Sequence, residues 1–198
     1  MRCQSDRNRE PVYNSPMSDT AQRYRLIASG FDSRVNATSG DGWNAPSPCA
    51  EWSAREVVGH VVGNHRWLAA KVRGGEPAPM TEEEDPAEAW RGAYGGVLTM
   101  TEDPAAMATM VEGPMGEMPF EQMLGSFVCM DVLVHTWDLA RAVGADEHLD
   151  EASVTEAYET MKPLDDQIRQ PGIFDPKMEP PAGADTQTEF LYFLGRRA

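Results

Sequence analysis

The sequence of 198 residues lacks the features that mark several protein classes. Its three cysteines (Cys3, Cys49 and Cys129) are widely spaced, which argues against a disulfide framework or a zinc ribbon and favours the reducing cytoplasm. Only 17 basic residues face 32 acidic ones, and a net charge of −15 argues against nucleic-acid partners. Apolar runs are shorter than a membrane span, so we expect a soluble protein that is not exported.

The chain begins with a segment unlike the rest. Residues 1–16 are polar and charged without periodicity, so we expect a disordered N-terminal extension, with Met17 as an alternative start. The remaining length suits one core, and we expect residues 17–198 to form a single domain.

Apolar spacing and capping signals predict an all-α protein, a bundle of four or more helices joined by long loops. The clearest start is a capping box of Ser53 and Glu56, with Gly74 and Gly75 as the stop. No run shows strand alternation, and the Gly- and Pro-rich stretch 112–119 is interpreted as a loop. The expected helices are 19–35, 54–73, 86–102, 103–110, 120–143, 150–168 and 186–194.

An acid–histidine stripe runs along the helix predicted over 120–143. At about 100° per residue, Asp131, His135 and Asp138 project within about 60° of one another, on the side of apolar residues such as Leu124 and Val134. Buried carboxylates and imidazoles are costly unless they are paired or bind a metal. The stripe therefore requires a partner from elsewhere in the chain.

We predict that this partner is His60, on the helix that begins at Ser53. His60, Asp131 and His135 would bind one divalent metal and leave coordination positions open, as catalytic sites do. Such ligands suit Zn, Ni, Fe or Mn. Asn64 and Trp67 share the face of His60 and are predicted to line the pocket.

Other residues have supporting or structural interpretations. Asp138 is predicted to be an outer-shell acceptor that fixes the tautomer of a ligand histidine. We interpret Cys49 as a small buried turn residue, with a redox thiol as the alternative. Arg196 is interpreted as a cation near a helix C-terminus that offsets the helix dipole, with binding of a carboxylate of a thiol cofactor or substrate as the alternative. The alternative for the whole stripe is structural, with His60–Asp131 or His135–Asp138 pairs hydrogen-bonded without metal.

Four short motifs together resemble the actinobacterial metal-binding family related to the N-terminal domain of mycothiol-dependent maleylpyruvate isomerase, within the DinB-like superfamily. They are Trp43-Asn-Ala-Pro-Ser47-Pro-Cys49-Ala-Glu-Trp52, Val57-Val-Gly-His60-Val-Val62, Asp131-Val-Leu-Val-His135-Thr-Trp-Asp138 continuing to Gly144, and Phe193-Leu-Gly-Arg196. The resemblance covers about residues 18–198. It implies a DinB-like four-helix bundle, here with extra C-terminal helices, whose ligands would be His60, Asp131 and His135.

The resemblance also implies a chemistry. The ion, usually taken as zinc, would bind a low-molecular-weight thiol such as mycothiol, and the thiolate would attack a small electrophile in an S-transferase or isomerase reaction. No residue of the chain stands out as a nucleophile. The isomerase has glutamate where this chain has Asp131, and we expect its separate C-terminal domain to be absent, so its substrate is not carried over. A metal-binding or ligand-sensing module without turnover is the alternative, and either form would be a monomer or a homodimer.

Overall fold

The structure, a computed structural model, describes residues 17–49, 51–113, 116–169 and 174–198. The extension predicted for residues 1–16 lies outside the described residues. The elements are α1 (Asp19–Ala37), α2 (Ala54–Arg73), α3 (Pro86–Thr101), α4 (Pro104–Met107), β1 (Met110–Gly113), β2 (Gly116–Pro119), α5 (Phe120–Met123), α6 (Cys129–Val143), α7 (Glu151–Met161), α8 (Asp165–Ile168) and α9 (Thr186–Phe193). Short 3-10 helices span Gly40–Asn44 and Lys162–Leu164.

The bundle consists of α1, α2, α3 and the long helix that ends in α6. α1 packs against α3 and α6, and α2 packs against the same two helices, so the four enclose one core. α9 packs against α7 at the C-terminal end of the chain. The largest fully buried side chains include Tyr24, Phe31, Leu68, Trp90, Leu124, Trp137 and Phe190. The predicted all-α bundle with additional C-terminal helices is confirmed.

Capping fixes where α2 and α6 start or stop. The Ser53 side chain accepts from the backbone N–H of Glu56, whose carboxylate accepts from the N–H of Ser53 at 2.7 Å, so the predicted capping box is confirmed. Gly74 ends α2 and Gly144 ends α6, with φ of 71° and 68°. Both glycines occupy the left-handed region where a side chain would be strained.

The long helix is interrupted by a π-helical turn over Leu124–Val128, which joins α5 to α6. Arg23 of α1 donates to the carbonyl oxygen of Gly125 in this turn at 2.9 Å. The helical segment Phe120–Val143 is long and apolar enough to cross a membrane, but 72% of its most apolar window is buried inside the protein. Its apolar surface is therefore used in the core of the bundle, as in a soluble protein.

Two local predictions are wrong. The stretch 112–119 was expected to be a loop, but β1 and β2 pair as an antiparallel hairpin with Val111 opposite Met118. Strands of four residues are too short to show alternation, and their stability comes from pairing with each other. The helix expected over 150–168 is broken after Met161 by a 3-10 turn at Pro163, because proline lacks the N–H that continues an α-helix.

Candidate metal centre

α2 and α6 bring His60, Asp131 and His135 together. The Nε2 atom of His60 lies 2.9 Å from Oδ1 of Asp131, and Nε2 of His135 lies 3.5 Å from the same oxygen. One ligand atom from each residue lies within 4.8 Å of the other two. Side chains from two different helices thus converge on one point, although 71 residues separate His60 from Asp131.

The donor set and its spacing fit a divalent transition metal. Ligand atoms at typical zinc distances in a tetrahedron are about 3.3 Å apart, close to the 2.9 and 3.5 Å that separate the two Nε2 atoms from Oδ1 of Asp131. Two imidazole nitrogens and one carboxylate oxygen suit Zn, Ni, Fe or Mn. The His60 side chain is 32% exposed and that of His135 only 9%, so the cluster opens towards solvent on the α2 side.

Asn64 holds the second oxygen of Asp131. Its Nδ2 donates to Oδ2 of Asp131 at 3.1 Å and lies 3.0 Å from Nε2 of His60, one turn earlier on α2. The amide orientation is assigned from these contacts. Asn64 thereby leaves Oδ1 of Asp131 as the oxygen that faces both histidines.

Trp67 lies on the same face of α2 as His60 but about 10 Å further along the axis, given 1.5 Å per residue. Among the described residues, no hydrogen bond or ring contact joins Trp67 to the cluster, and Lys71 lies 5.8 Å from the centroid of its ring. A helical projection gives the angle around an axis and not the distance along it. The role of Trp67 in a pocket stays a prediction.

Trp52 contacts both histidines, which the sequence reasoning missed. Its ring centroid lies 5.0 Å from that of His60 and 5.9 Å from that of His135, and the two imidazoles pack edge to face at 4.8 Å. Trp52 sits just before Ser53, the N-cap of α2, and so lies outside the helical periodicity that relates the other site residues. The one signal for a role at the site was its place in the first motif, three residues after Cys49.

Asp138 lies behind His135 and is fully buried. The Nδ1–H of His135 donates to Oδ2 of Asp138 at 2.9 Å, which leaves Nε2 to face Asp131. This is the arrangement in which an outer carboxylate fixes the ring of a metal-binding histidine. The role of Asp138 in metal binding stays a prediction.

Arg196 and Cys49 complete the surroundings of Asp138. The Nε atom of Arg196 donates to Oδ1 at 2.9 Å, its Nη2 donates to Oδ2 at 2.9 Å, and the Cys49 thiol donates to Oδ2 at 3.3 Å. Neither residue has the role expected from the sequence: Arg196 pairs with a buried carboxylate, and Cys49 belongs to a polar network. Both come from loops distant in sequence, so helical periodicity carried no signal for these contacts.

Cys49, His135 and Asp138 form a second group with metal-binding atoms, but the side chain of Arg196 already occupies this position. Its ligand atoms also lie within 4.8 Å of one another. The Arg196 guanidinium contacts both oxygens of Asp138 and lies 3.6 Å from Sγ of Cys49. This positive charge would repel a metal ion, so the site formed with His60 and Asp131 is the better candidate.

The charges of the cluster are strongly coupled. Burial would raise the pKa of Asp131, but His135 and then His60 outweigh it, and the pKa lies well below its usual value. Burial would lower the pKa of His135, but Asp131 and then Asp138 raise it well above its usual value. The pKa of Asp138 falls to about 2 because its bonds to His135 and Arg196 outweigh burial. Without a metal, His135 therefore holds a proton that a bound ion would displace.

His65 belongs to a different environment on the same helix. It is fully buried, its Nδ1–H donates to the carbonyl oxygen of Val61 at 2.8 Å, and its Nε2 accepts from the Tyr24 hydroxyl at 2.9 Å. Burial is the main cause that lowers the pKa of His65 to about 4, so the ring is neutral. Both nitrogens are occupied, as expected for a histidine that points away from His60.

The fold and the cluster together define a class, the DinB-like helical bundles. The sequence model described as the mycothiol maleylpyruvate isomerase N-terminal domain matches residues 24–140, more than half of the chain. The chain therefore belongs to the mycothiol maleylpyruvate isomerase N-terminal domain family. The match includes His60, Asp131, His135 and Asp138 and ends before Arg196.

Two curated relatives and two solved structures are similar to the chain. The relatives are uncharacterized proteins of Mycobacterium tuberculosis strains H37Rv and CDC 1551, each 28% identical over 189 residues, or 90% of this chain and 98% of the relative. The structures are crystal structures of the mycothiol-dependent maleylpyruvate isomerase and of a histidine-to-alanine mutant of it. Their TM-scores are 0.55 and 0.58 and their identities 19% and 17%, and each match covers 79% of this chain and 74% of the other. At such identity the likeness shows the fold alone.

Proposed function

We propose that this protein binds one divalent metal ion, zinc in the cell, through His60, Asp131 and His135. The observation that carries the proposal is the convergence of three ligand atoms from two helices on one point that is open to solvent on one side. The side chains of His60 and Asp131 are 32% and 18% exposed, so an ion and a further ligand can reach them from solvent, and a purely structural cluster needs no such access.

We further propose that the protein is a mycothiol-dependent S-transferase or isomerase acting on a small electrophile. A bound divalent ion would supply thiol activation, because coordination lowers the pKa of a thiol and yields a thiolate at neutral pH. The thiolate sulfur would form a bond to an electrophilic carbon as the π bond at that carbon breaks and its electron pair moves onto the substrate. Protonation of this adduct gives a conjugate, whereas expulsion of the thiolate, which restores the π bond, gives an isomer. The name of the family, which refers to mycothiol, supports the thiol, and the electrophile is defined by its chemistry alone.

The residues of the chain would prepare this site. Asn64 holds Oδ2 of Asp131, Trp52 packs against both imidazoles, and Asp138 accepts from His135. The Cys49 thiol is engaged with Asp138, so the reactive sulfur would come from the co-substrate and not from the protein.

The test has two stages. Protein purified without chelator should contain about one ion per chain, and a His60→Ala variant should contain almost none. His148→Ala is the matched control, because the His148 side chain is 93% exposed and its one ion pair within the described part of the chain is with Asp146. Absence of a stoichiometric ion from the wild-type protein would overturn the proposal and favour a hydrogen-bonded structural cluster.

The second stage separates an enzyme from an inert module. In the Co(II)-substituted protein, mycothiol should shift the visible absorption bands, because a sulfur ligand changes the field of the ion. A non-catalytic metal-binding or ligand-sensing module is the alternative, favoured by the fact that the matched sequence model describes one domain of the isomerase. If the spectrum of the metal-loaded protein does not change when mycothiol is added, that result would support the alternative.

We also propose that residues 17–198 form one domain that acts in the cytoplasm as a monomer or a homodimer. The pairing of Arg196 with Asp138 supports the single domain, because it ties the C-terminal turn to α6. The net charge of −15 supports small molecules and not nucleic acid as partners. Sedimentation equilibrium measures the oligomeric state, and a domain boundary would appear as a second unfolding transition.

A further inference from the structure

A turn after α9 brings one arginine to the back of the candidate metal centre. The helix ends at Phe193, Gly195 has a φ of 79°, and the backbone N–H of Arg196 donates to the carbonyl oxygen of Leu191 at 2.8 Å. Glycine favours this left-handed turn. A Cβ atom at position 195 would also lie 2.5 Å from Cβ of Asp175. Glycine is therefore required here for two reasons, and the turn directs Arg196 towards the core.

Arg196 forms a bidentate contact with Asp138, in which one nitrogen atom donates to each carboxylate oxygen. Its side chain is only 13% exposed and that of Asp138 is fully buried, whereas Arg197, the next residue, is exposed. A planar guanidinium matches a carboxylate at two points, which fixes direction as well as distance. A buried pair with this geometry is a defined contact and not a surface charge that offsets a helix dipole.

The contacts form a chain from Arg196 to the candidate ligand. Asp138 accepts from Arg196 on both oxygens and from the Nδ1–H of His135 on Oδ2 at 2.9 Å. A carboxylate bound in this way cannot rotate freely, so the plane of the imidazole is also set. The consequence is that Nε2 of His135 points towards Oδ1 of Asp131 and the open side of the cluster.

We propose that Arg196 is a positioning residue of the metal centre: by holding Asp138 at two points it sets the orientation of His135, and with it the affinity of the site for its ion. The inference rests on the proposed function, since it takes the cluster to bind metal. It extends the site to a part of the chain beyond residues 24–140, which the family model matches.

The first test is Co(II) affinity, measured on metal-free protein with a competing chelator. Arg196→Gln should weaken binding about 10- to 100-fold, as loss of outer-shell support does. Arg197→Gln removes the same charge from the same turn and should leave the affinity unchanged. Arg196→Lys keeps the charge but not the two-point contact, so its affinity should lie between those of Arg196→Gln and the wild-type protein. This variant replaces Arg196→Gln in the test if the glutamine variant fails to fold.

Two further readouts separate positioning from general stability. The visible spectrum of Co(II)-saturated Arg196→Gln should differ from that of the wild-type protein, because the ligand geometry changes. In an Asp138→Asn background, adding Arg196→Gln should weaken affinity less than about twofold, since the path through Asp138 is already broken. A full additional loss, or an equal loss in Arg197→Gln, would overturn the inference.

A metal-free measurement distinguishes failure of this inference from failure of the proposed function. In the nitrogen–proton NMR spectrum of wild-type protein without metal, the Nδ1–H of His135 should be protected from exchange, and Arg196→Gln and Asp138→Asn should both lose the signal. If the signal depends on Arg196 but the protein binds no Co(II), positioning stands and the metal function falls. If Co(II) binds and Arg196→Gln retains both affinity and signal, the inference is overturned while the function stands.

Discussion

His60 and His65 are five residues apart on α2, yet their imidazoles have opposite surroundings. The His60 ring is partly exposed, meets the Asp131 carboxylate and packs against Trp52. The His65 ring is fully buried, meets a hydroxyl and a carbonyl, and packs edge to face on Trp90. One face of α2 presents a charged cluster to solvent, and the other supplies a neutral group to the core.

The role of each histidine depends on the groups around its ring more than on the helix that carries it. A carboxylate beside a solvent-accessible imidazole makes a pair that a cation can enter. Two neutral partners in a closed core satisfy both nitrogens and leave nothing for a ligand to contact.

The largest expected effect is on metal binding at the open histidine. His60→Ala should weaken Co(II) affinity more than about 100-fold, beyond the loss typical of an outer-shell residue, because a ligand is removed. His65→Ala should leave the affinity within about threefold. Titration with a competing chelator measures both, and comparable losses in the two variants would contradict the division of α2 into two faces.

The next effect is on stability at the buried histidine. His65→Ala should lower the free energy of unfolding by about 3 kcal/mol, because it opens a cavity and leaves the Tyr24 hydroxyl and the Val61 carbonyl without their partner. Urea unfolding of metal-free protein measures this, with His148→Ala expected within about 0.5 kcal/mol of wild type. A loss below 1 kcal/mol at position 65 would mean that the core closes around the gap.

Substitution of Asp138, which lies behind the cluster, should have a smaller effect on metal affinity than loss of His60. Asp138→Asn keeps the size of the side chain but replaces a carboxylate, which accepts hydrogen bonds from His135, Arg196 and Cys49, with an amide. Because this weakens the support of His135, Co(II) affinity should fall about 10- to 100-fold. Asp146→Asn is the control, because Asp146 pairs with the exposed His148 on the surface. Unchanged affinity in Asp138→Asn would remove the proposed support of His135.

The smallest effect is the pH dependence that His65 imposes. Its pKa is about 4 in the folded protein and near 6.5 in the unfolded chain, so the unfolded chain binds the extra proton between these values and stability falls as the pH falls. The loss should reach about 1.4 kcal/mol at pH 5.5. His135 acts in the opposite sense, because its raised pKa adds stability at low pH that is lost as pH rises.

The difference between two proteins isolates this contribution. Metal-free wild-type protein and His65→Gln are unfolded by urea at several pH values, so that terms from other groups, including His135, cancel. The stability of the variant should fall less than that of the wild type between pH 7 and 5.5. Parallel pH profiles would show that His65 is not the group responsible.

Local signals predicted much of the fold because they act within a few residues. The capping box at Ser53 and the glycines that end α2 and α6 lie where the sequence indicated. The hairpin of β1 and β2 was missed since its stability depends on pairing between strands. The π-helical turn over Leu124–Val128 was missed too, because the hydrogen-bond spacing along an apolar helix leaves no pattern in the residues.

Helical periodicity predicted the part of the candidate site that lies on one helix. Asp131, His135 and Asp138 share one face of one helix, and the stripe required a partner. His60 was chosen by its face on α2 and by the family resemblance. Trp52 and Cys49 lie outside regular helices, so no periodicity predicted their contacts. A helical projection shows the angle around the axis of α2 and not the distance along it, so it did not reveal that Trp67 lies far from His60.

Short-range signals in the sequence predicted the main helices of the bundle, the ends of α2 and α6 and the polar stripe, because these follow from backbone hydrogen bonding and side-chain spacing over short distances. The tertiary structure alone decided which nitrogen of His135 faces Asp131 and which cation neutralises Asp138. Those choices depend on Arg196, 58 residues beyond Asp138 in the chain. Only the packing of α6 against α2 and the C-terminal turn brings such distant groups to within hydrogen-bonding distance.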